Sequence, residues 1–164
     1  DCPGTYPLFH AHREGQPCTD STFFPVADLA PRRDGDGLIT EVALAIPPGS
    51  IEFWSARLTK SGVAVGEPET RFGARMLPLA DPHGLRLALV ESESALARPF
   101  TVWQDSPVPP QHQIRGLESA RLLERDLAEP AAFLAAGGAP TTEAGPTMPV
   151  TARSREARRC PLLA

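Results

Sequence analysis

The stretch Thr40–Gly62, TEVALAIPPGSIEFWSARLTKSG, decides the fold. Val42, Leu44 and Ile46 alternate with Glu41, Ala43 and Ala45. A period of two predicts a strand with one large-residue face and one small-residue face. The alanines on the second face permit close approach of another layer, or leave room for a cavity. Pro47 and Pro48 end the strand, because neither can donate to a ladder. Ser50 reads as a helix N-cap, its hydroxyl accepting from an orphan amide. Glu52 then sits beside the positive end of the helix. Ile51, Trp54 and Leu58 fall at i, i+3 and i+7, an apolar stripe facing a sheet, with Phe53 and Arg57 on its flanks. Lys60 occupies the last turn, and Gly62 takes the left-handed position that closes the helix.

Downstream, Val63–Val65 reads as a short strand and residues 67–70 as a connector broken by Pro68. Arg71–Ala80 reads as the next strand, with Gly73 and Pro78 marking bulges or an edge. Asp81, Pro82, His83 and Gly84 fit a tight turn. Leu85, Leu87 and Leu89 alternate along the return strand, which ends at Glu91–Glu93. The order is strand, helix and three strands, so Leu38–Ser92 reads as one complete β-α-β-β-β module of an α+β protein. One helix covers one face of a sheet, and the other face needs a second layer. A second module of the same kind is the economical solution. Thr5–His10 and Ser21–Pro25 read as the last strands of such a neighbour, made irregular by Pro7, so residues 1–30 are assigned to an incomplete first module.

Residues 93–113, with Pro107, Pro109 and Pro110, read as an interdomain linker that Trp103, within it, tacks onto the domain by burying its ring. Ile114–Leu123 reads as a new strand. Asp126 reads as the cap of a helix running to Ala136, with Pro130 in its first turn. Residues 114–138 thus begin a third module. Residues 139–164 lose all pattern and are expected to be a disordered, solvated tail; its basic cluster is Arg153, Arg155, Arg158 and Arg159.

Composition limits the function classes. Sixteen Lys and Arg against 20 Asp and Glu give a formal charge of -4, no field for steering nucleic acid. No apolar run approaches the roughly 20 residues of a membrane span. The first residues carry no secretory signal pattern, so a cytoplasmic protein is the expectation. Without an initiator Met, the sequence is expected to begin inside a longer protein. Nineteen Pro and 13 Gly in 164 residues demand much turn and extended chain. Cys2, Cys18 and Cys160 form no CxxC pair and no zinc spacing, and read as free thiols, with a Cys2–Cys18 disulfide as the alternative in an oxidising compartment. The Arg32–Gly37 segment RRDGDG lacks the later ligands of a calcium loop.

The sequence resembles the vicinal oxygen chelate superfamily and, within it, the glyoxalase-like ring-cleaving dioxygenases. The resemblance rests on DCPGTYPLF at 1–9, TFFP at 22–25, TEVALAIPPGSIEFW at 40–54, GVAVGEPETRFG at 62–73, LADPHGLRLALVE at 79–91, SPVPPQHQIRGLES at 106–119 and RDLAEPAAFL at 125–134. It implies four β-α-β-β-β modules in two tandem domains, of which this chain would hold the end of the first, all of the second and the start of the third. It also implies a ferrous ion held by two His and one Glu, leaving open positions for oxygen and a dihydroxylated aromatic ring. Fe(II) is therefore expected for a full-length parent, with a small aromatic diol as substrate. The chain alone is expected to hold no cofactor and to be inactive.

No catalytic or cofactor-binding residue is assigned, and the metal ligands are left unknown. Glu118 stands in GLES where relatives commonly read GLHS, and Ala88 stands in LRLALVE where relatives often carry Glu. His10 and His12 share a strand face by spacing, which admits a metal pair or a plain surface pair. His83 reads as a turn residue and His112 as a linker residue. The alternative reading is a metal-independent small-molecule-binding or structural module of the glyoxalase and bleomycin-resistance type. A lactoylglutathione-type isomerase fits the local motifs less well. No nucleic-acid or membrane partner is expected, and the open sheet is expected to permit self-association.

Overall fold

The computed structural model of the chain describes residues 8–10, 21–23, 35–82, 84–126, 128–136 and 150–153. Strands β1 (Leu8–His10) and β2 (Ser21–Phe23) pair antiparallel as a two-stranded sheet. The main sheet is built from β3 (Leu38–Ile46), β4 (Glu69–Arg71), β5 (Ala74–Ala80), β6 (Arg86–Glu91), β7 (Leu117–Leu123) and β8 (Val150–Arg153). Helix α1 (Ile51–Lys60) follows β3, and α2 (Ala128–Ala136) follows β7. The order across the sheet is β4-β5-β6-β3-β7-β8. β3 runs parallel to β6, as a crossover through α1 requires, while the other neighbours are antiparallel. The α+β class and the strand-helix-strand order expected of Leu38–Ser92 are observed.

The helix stripe finds the large-residue face as its spacing predicted. Ile51 and Trp54 pack with Ile46, Leu77 and Leu89, and Leu44, Phe53, Leu58 and Leu79 surround them. Gly62, at φ 74, closes the helix; Val63 N–H donates to Leu58 O and Gly62 N–H to Thr59 O, each at 3.0 Å. The N-terminus differs from expectation. Ser50 does not cap it through its side chain; Ile51 N–H instead donates to Glu91 Oε1 at 3.1 Å. A carboxylate is the better partner for the positive helix end, and β6, by running parallel to β3, delivers Glu91 to that point.

Three further expectations are corrected. The Arg71–Ala80 strand is two strands, because Phe72 (φ 53) and Gly73 (φ 75) form a two-residue hairpin turn with both residues left-handed. The strand expected at Val63–Val65 is an isolated bridge from Val65 to Leu79, and the expected connector contains β4. Four residues of the tail expected to be disordered, 150–153, form β8 on β7.

The expected linker is a docked segment rather than a spacer. Trp54 Nε1 donates to His112 O at 2.9 Å, and the Phe53 and His112 rings stack at 4.4 Å. Buried Gln113 ties the segment to itself, with Nε2 donating to Trp103 O and Val108 O while Oε1 accepts from Trp103 N–H. The Trp103 ring, expected to be the tack, is 49% exposed. The contacts come from His112, Gln113, Val108 and Ile114 instead. Arg115 N–H then donates to Ala45 O and Ala45 N–H to Gly116 O, so the docked segment leads directly into β7 on β3. The start of the expected third module therefore continues the sheet of the second.

Candidate functional site

The face of the sheet opposite α1 is lined by small residues in its middle and charges along its rim. Ala43, Ala88, Met76 and Val90 form a buried cluster there. Small side chains on adjacent strands (Ala43 is paired with Ala88) keep this surface low. The depression above it is bounded by Glu41 and Ala43 from β3, Arg71 and Phe72 from the hairpin, and Glu118, Ser119 and Arg121 from β7. It offers about 20 Å³ to water-sized occupants, the scale of about one ordered water. One sheet thus supplies a wall of a site rather than an enclosed pocket for a ring.

A β-bulge sets the site's chemistry. Ala43 pairs with Ser119, but the next residue, Leu44, pairs with Leu117. Glu118 is therefore the extra residue, and the bulge brings it to the same face as Ser119. Glu118 is 5% exposed. Its Oε2 forms an ion pair with Arg98, whose other amine donates to Leu117 O at 2.8 Å. Its Oε1 accepts from Ser92 Oγ at 3.3 Å. A buried carboxylate is tolerable here because it is both charge-paired and hydrogen-bonded.

The second charged group centres on Glu41. Arg71 Nη1 donates to Glu41 Oε1 at 2.8 Å, and Arg71 also pairs with Glu69. Arg121 Nε lies 3.9 Å from Glu41 Oε1, too far for a hydrogen bond, and that buried nitrogen has no partner. Burial pushes the Arg121 guanidinium below the usual arginine range; Glu41 opposes the shift and Arg71 adds to it. Arg121 stays charged at ordinary pH. The charged rim thus borders a depression that Phe72 and Met76 also line.

The residues singled out in the sequence separate as follows. Ala88 is fully buried under Met76 and Val90 and has no donor atom for a metal. Glu118 is committed to Arg98 and Ser92. His112 is structural: its Nδ1 lies 3.0 Å from Ser50 Oγ, and its ring stacks on Phe53. His12, His83 and the three cysteines lie outside the described residues, as does the side chain of His10. Among the described residues, no three His, Cys, Asp or Glu side chains come close enough to hold a metal ion. The residues of this face do not fit an iron centre. Sequence reasoning missed Arg98, Arg71 and Arg121. Only the Arg71 hairpin left a signal, the dipeptide Phe72-Gly73 between two strand-like runs.

An α+β sheet whose strands follow the β-α-β-β-β order, with its small-residue face left for a site, defines a glyoxalase-like fold. No family model matches the chain. It is similar to Putative ring-cleaving dioxygenase MhqO of Bacillus subtilis (strain 168), 38% identical over 123 residues, 75% of this chain and 38% of that protein. Putative ring-cleaving dioxygenase MhqE of the same organism is 32% identical over 126 residues, 77% of this chain and 40% of that protein. A crystal structure of a putative dioxygenase from Bacillus subtilis subsp. subtilis str. 168 superposes with a TM-score of 0.72 at 33% identity, over 87% of this chain and 46% of that one. The chain belongs to the glyoxalase-like ring-cleaving dioxygenases of the vicinal oxygen chelate superfamily. It spans about two-fifths of the length of the curated relatives it matches. Among the described residues, no helix is long and apolar enough to cross a membrane.

Proposed function

We propose that the chain supplies a non-ligating wall of an Fe(II)-dependent, extradiol-type dioxygenase that cleaves dihydroxylated aromatic rings, and that it does not catalyse the reaction alone. In this reading residues 1–30 end a first module, 38–92 form the second and 114–138 begin the third. The relation to ring-cleaving dioxygenases supports the reaction class. The observation that carries the division of labour is the pairing of Glu118 with Arg98 and Ser92, together with Ala88 at the neighbouring family position. An iron ion bound elsewhere in the parent would activate dioxygen and the diol together. This chain's part is then to bound the cup, with Phe72 and Met76 lining it beside the Glu41–Arg71 ion pair.

The test measures bound iron and cleavage of catechol- and hydroquinone-type rings, for this chain and for the full-length gene product. Iron and turnover are expected in the full-length protein alone. Stoichiometric iron and turnover by the chain itself would overturn the proposal. The small-residue face at Ala43, Ala45 and Ala88 also favours a second reading, metal-independent binding of an aromatic ligand. A thermal shift with an aromatic diol that persists in chelator would select that reading.

A further inference from the structure

The hairpin of β4 and β5 is bent over the small-residue face. Arg71 of β4 stands level with Ala74 of β5. Glu41 of β3 stands level with Arg86 of β6, and Arg86 with Ala80 of β5. In a flat sheet Arg71 and Glu41 would lie three strand spacings apart across the strands, roughly 14 Å, and six residues apart along them, roughly 20 Å. That exceeds the reach of two extended side chains. Yet Arg71 Nη1 donates to Glu41 Oε1 at 2.8 Å. The end of β4 and its turn therefore arch over the depression that Ala43, Phe72 and Met76 line. The arch is lightly built. β4 is three residues long and ends the sheet, so it is paired on one side only. Glu69 and Thr70 are exposed. The turn holds Phe72 at φ 53, where Asn or Gly is favoured and a bulky residue is strained. Arg71 is the tie, paired with Glu69 inside β4 and with Glu41 across the face.

We propose that β4 and its turn, residues 69–73, form a lid over the small-residue face, latched by Arg71 on Glu41, and that unlatching opens this face to a ligand. The closed depression has room for about one water, so a larger occupant needs the lid raised. A short end strand with a strained turn opens at lower free energy than the core beneath it. The latch then sets how often it opens. The occupant, a hydroxylated aromatic ring, rests on the reading given under Proposed function; the lid itself does not.

Met76 reports the lid. It lines the depression and is 4% exposed, so a bulky peroxide reaches its sulfur only when the face opens. The full chain is treated with tert-butyl hydroperoxide, and Met76 oxidation is followed by peptide mass spectrometry, with Met148, the chain's other methionine, as the reference for oxidant. Arg71→Gln is expected to speed Met76 oxidation about fivefold or more, while amide protection of Val42–Ala45 is unchanged. Glu41→Gln breaks the latch from its other end, leaves Arg71 on Glu69, and is expected to match it. Wild-type rates in either variant would overturn the proposal. So would a rise accompanied by lost protection of Val42–Ala45, since the whole sheet would then be opening. Addition of 4-methylcatechol with chelator to Arg71→Gln tests the occupant. Slower Met76 oxidation relative to Met148 supports the ring, whereas no slowing, with the effect of both variants intact, strikes the ring-binding reading and leaves the lid.

Discussion

The two faces of the main sheet are made from the same strands and have opposite characters. On one, Ile46, Leu77 and Leu89 meet Ile51 and Trp54 in a core of large side chains. On the other, Ala43 and Ala88 sit between ion pairs centred on Glu41 and Glu118. The alternation that gives β3 its large and small residues puts the core on one side and leaves the charged depression on the other. Volume removed from the first face is expected to cost folding. Changes on the second are expected to act through charge and access.

The largest effect should therefore come from Trp54→Ala. The indole is 8% exposed and also donates to His112 O, so urea unfolding should show a loss of about 3–5 kcal/mol. A loss below about 1 kcal/mol would mean that α1 does not carry the core. Next comes Arg98→Ala, which leaves the Glu118 carboxylate buried without its cation. A loss of about 1.5–3 kcal/mol is expected, with part of it recovered when Glu118→Gln is added. Additive effects in that double-mutant cycle would show that the two residues do not interact.

Gly66→Ala probes how tightly the strands beside the core close. A Cβ there would stand 2.8 Å from Pro78 Cγ, on a ring that cannot swing away, while Gly66 N–H donates to Pro78 O. A loss of about 1–3 kcal/mol is expected. Unchanged stability would place the 63–68 loop farther from β5. The smallest effect belongs to the outer surface. Arg75 holds the Glu52 carboxyl below its ordinary value, chiefly through a hydrogen bond. Its folded value is depressed, so the contribution is present above the unfolded carboxyl's titration and fades as pH falls through the folded value. An NMR titration of Glu52 should move up on Arg75→Gln and in high salt. No movement in either would remove the pair.

What was legible in the sequence was local. The α1 stripe, the closing Gly62 and the Asp81–Gly84 turn each depend on residues within a few positions of one another. The turn shows Leu85 N–H donating to Asp81 Oδ1 at 2.7 Å. What escaped was set by distant partners. The cap on α1 comes from Glu91, 40 residues away. The zipping of β7 to β3 runs through backbone groups, which carry no residue signature, and a bulge is a register event that the spacing of Glu118 does not reveal. Pro-rich residues 93–113 looked like a spacer because proline reports the loss of ladder donors. It says nothing about whether His112 and Gln113 find partners.

Everything assigned to the small-residue face requires β3 and β7 to be one sheet. Native-state hydrogen exchange of the Ser119–Leu122 amides, set beside those of Val42–Ala45, tests this most directly. Both sets are expected to open only with global unfolding, at the same free energy and with the same response to denaturant. Exchange of the β7 amides at free energies near zero while β3 stays protected would contradict it.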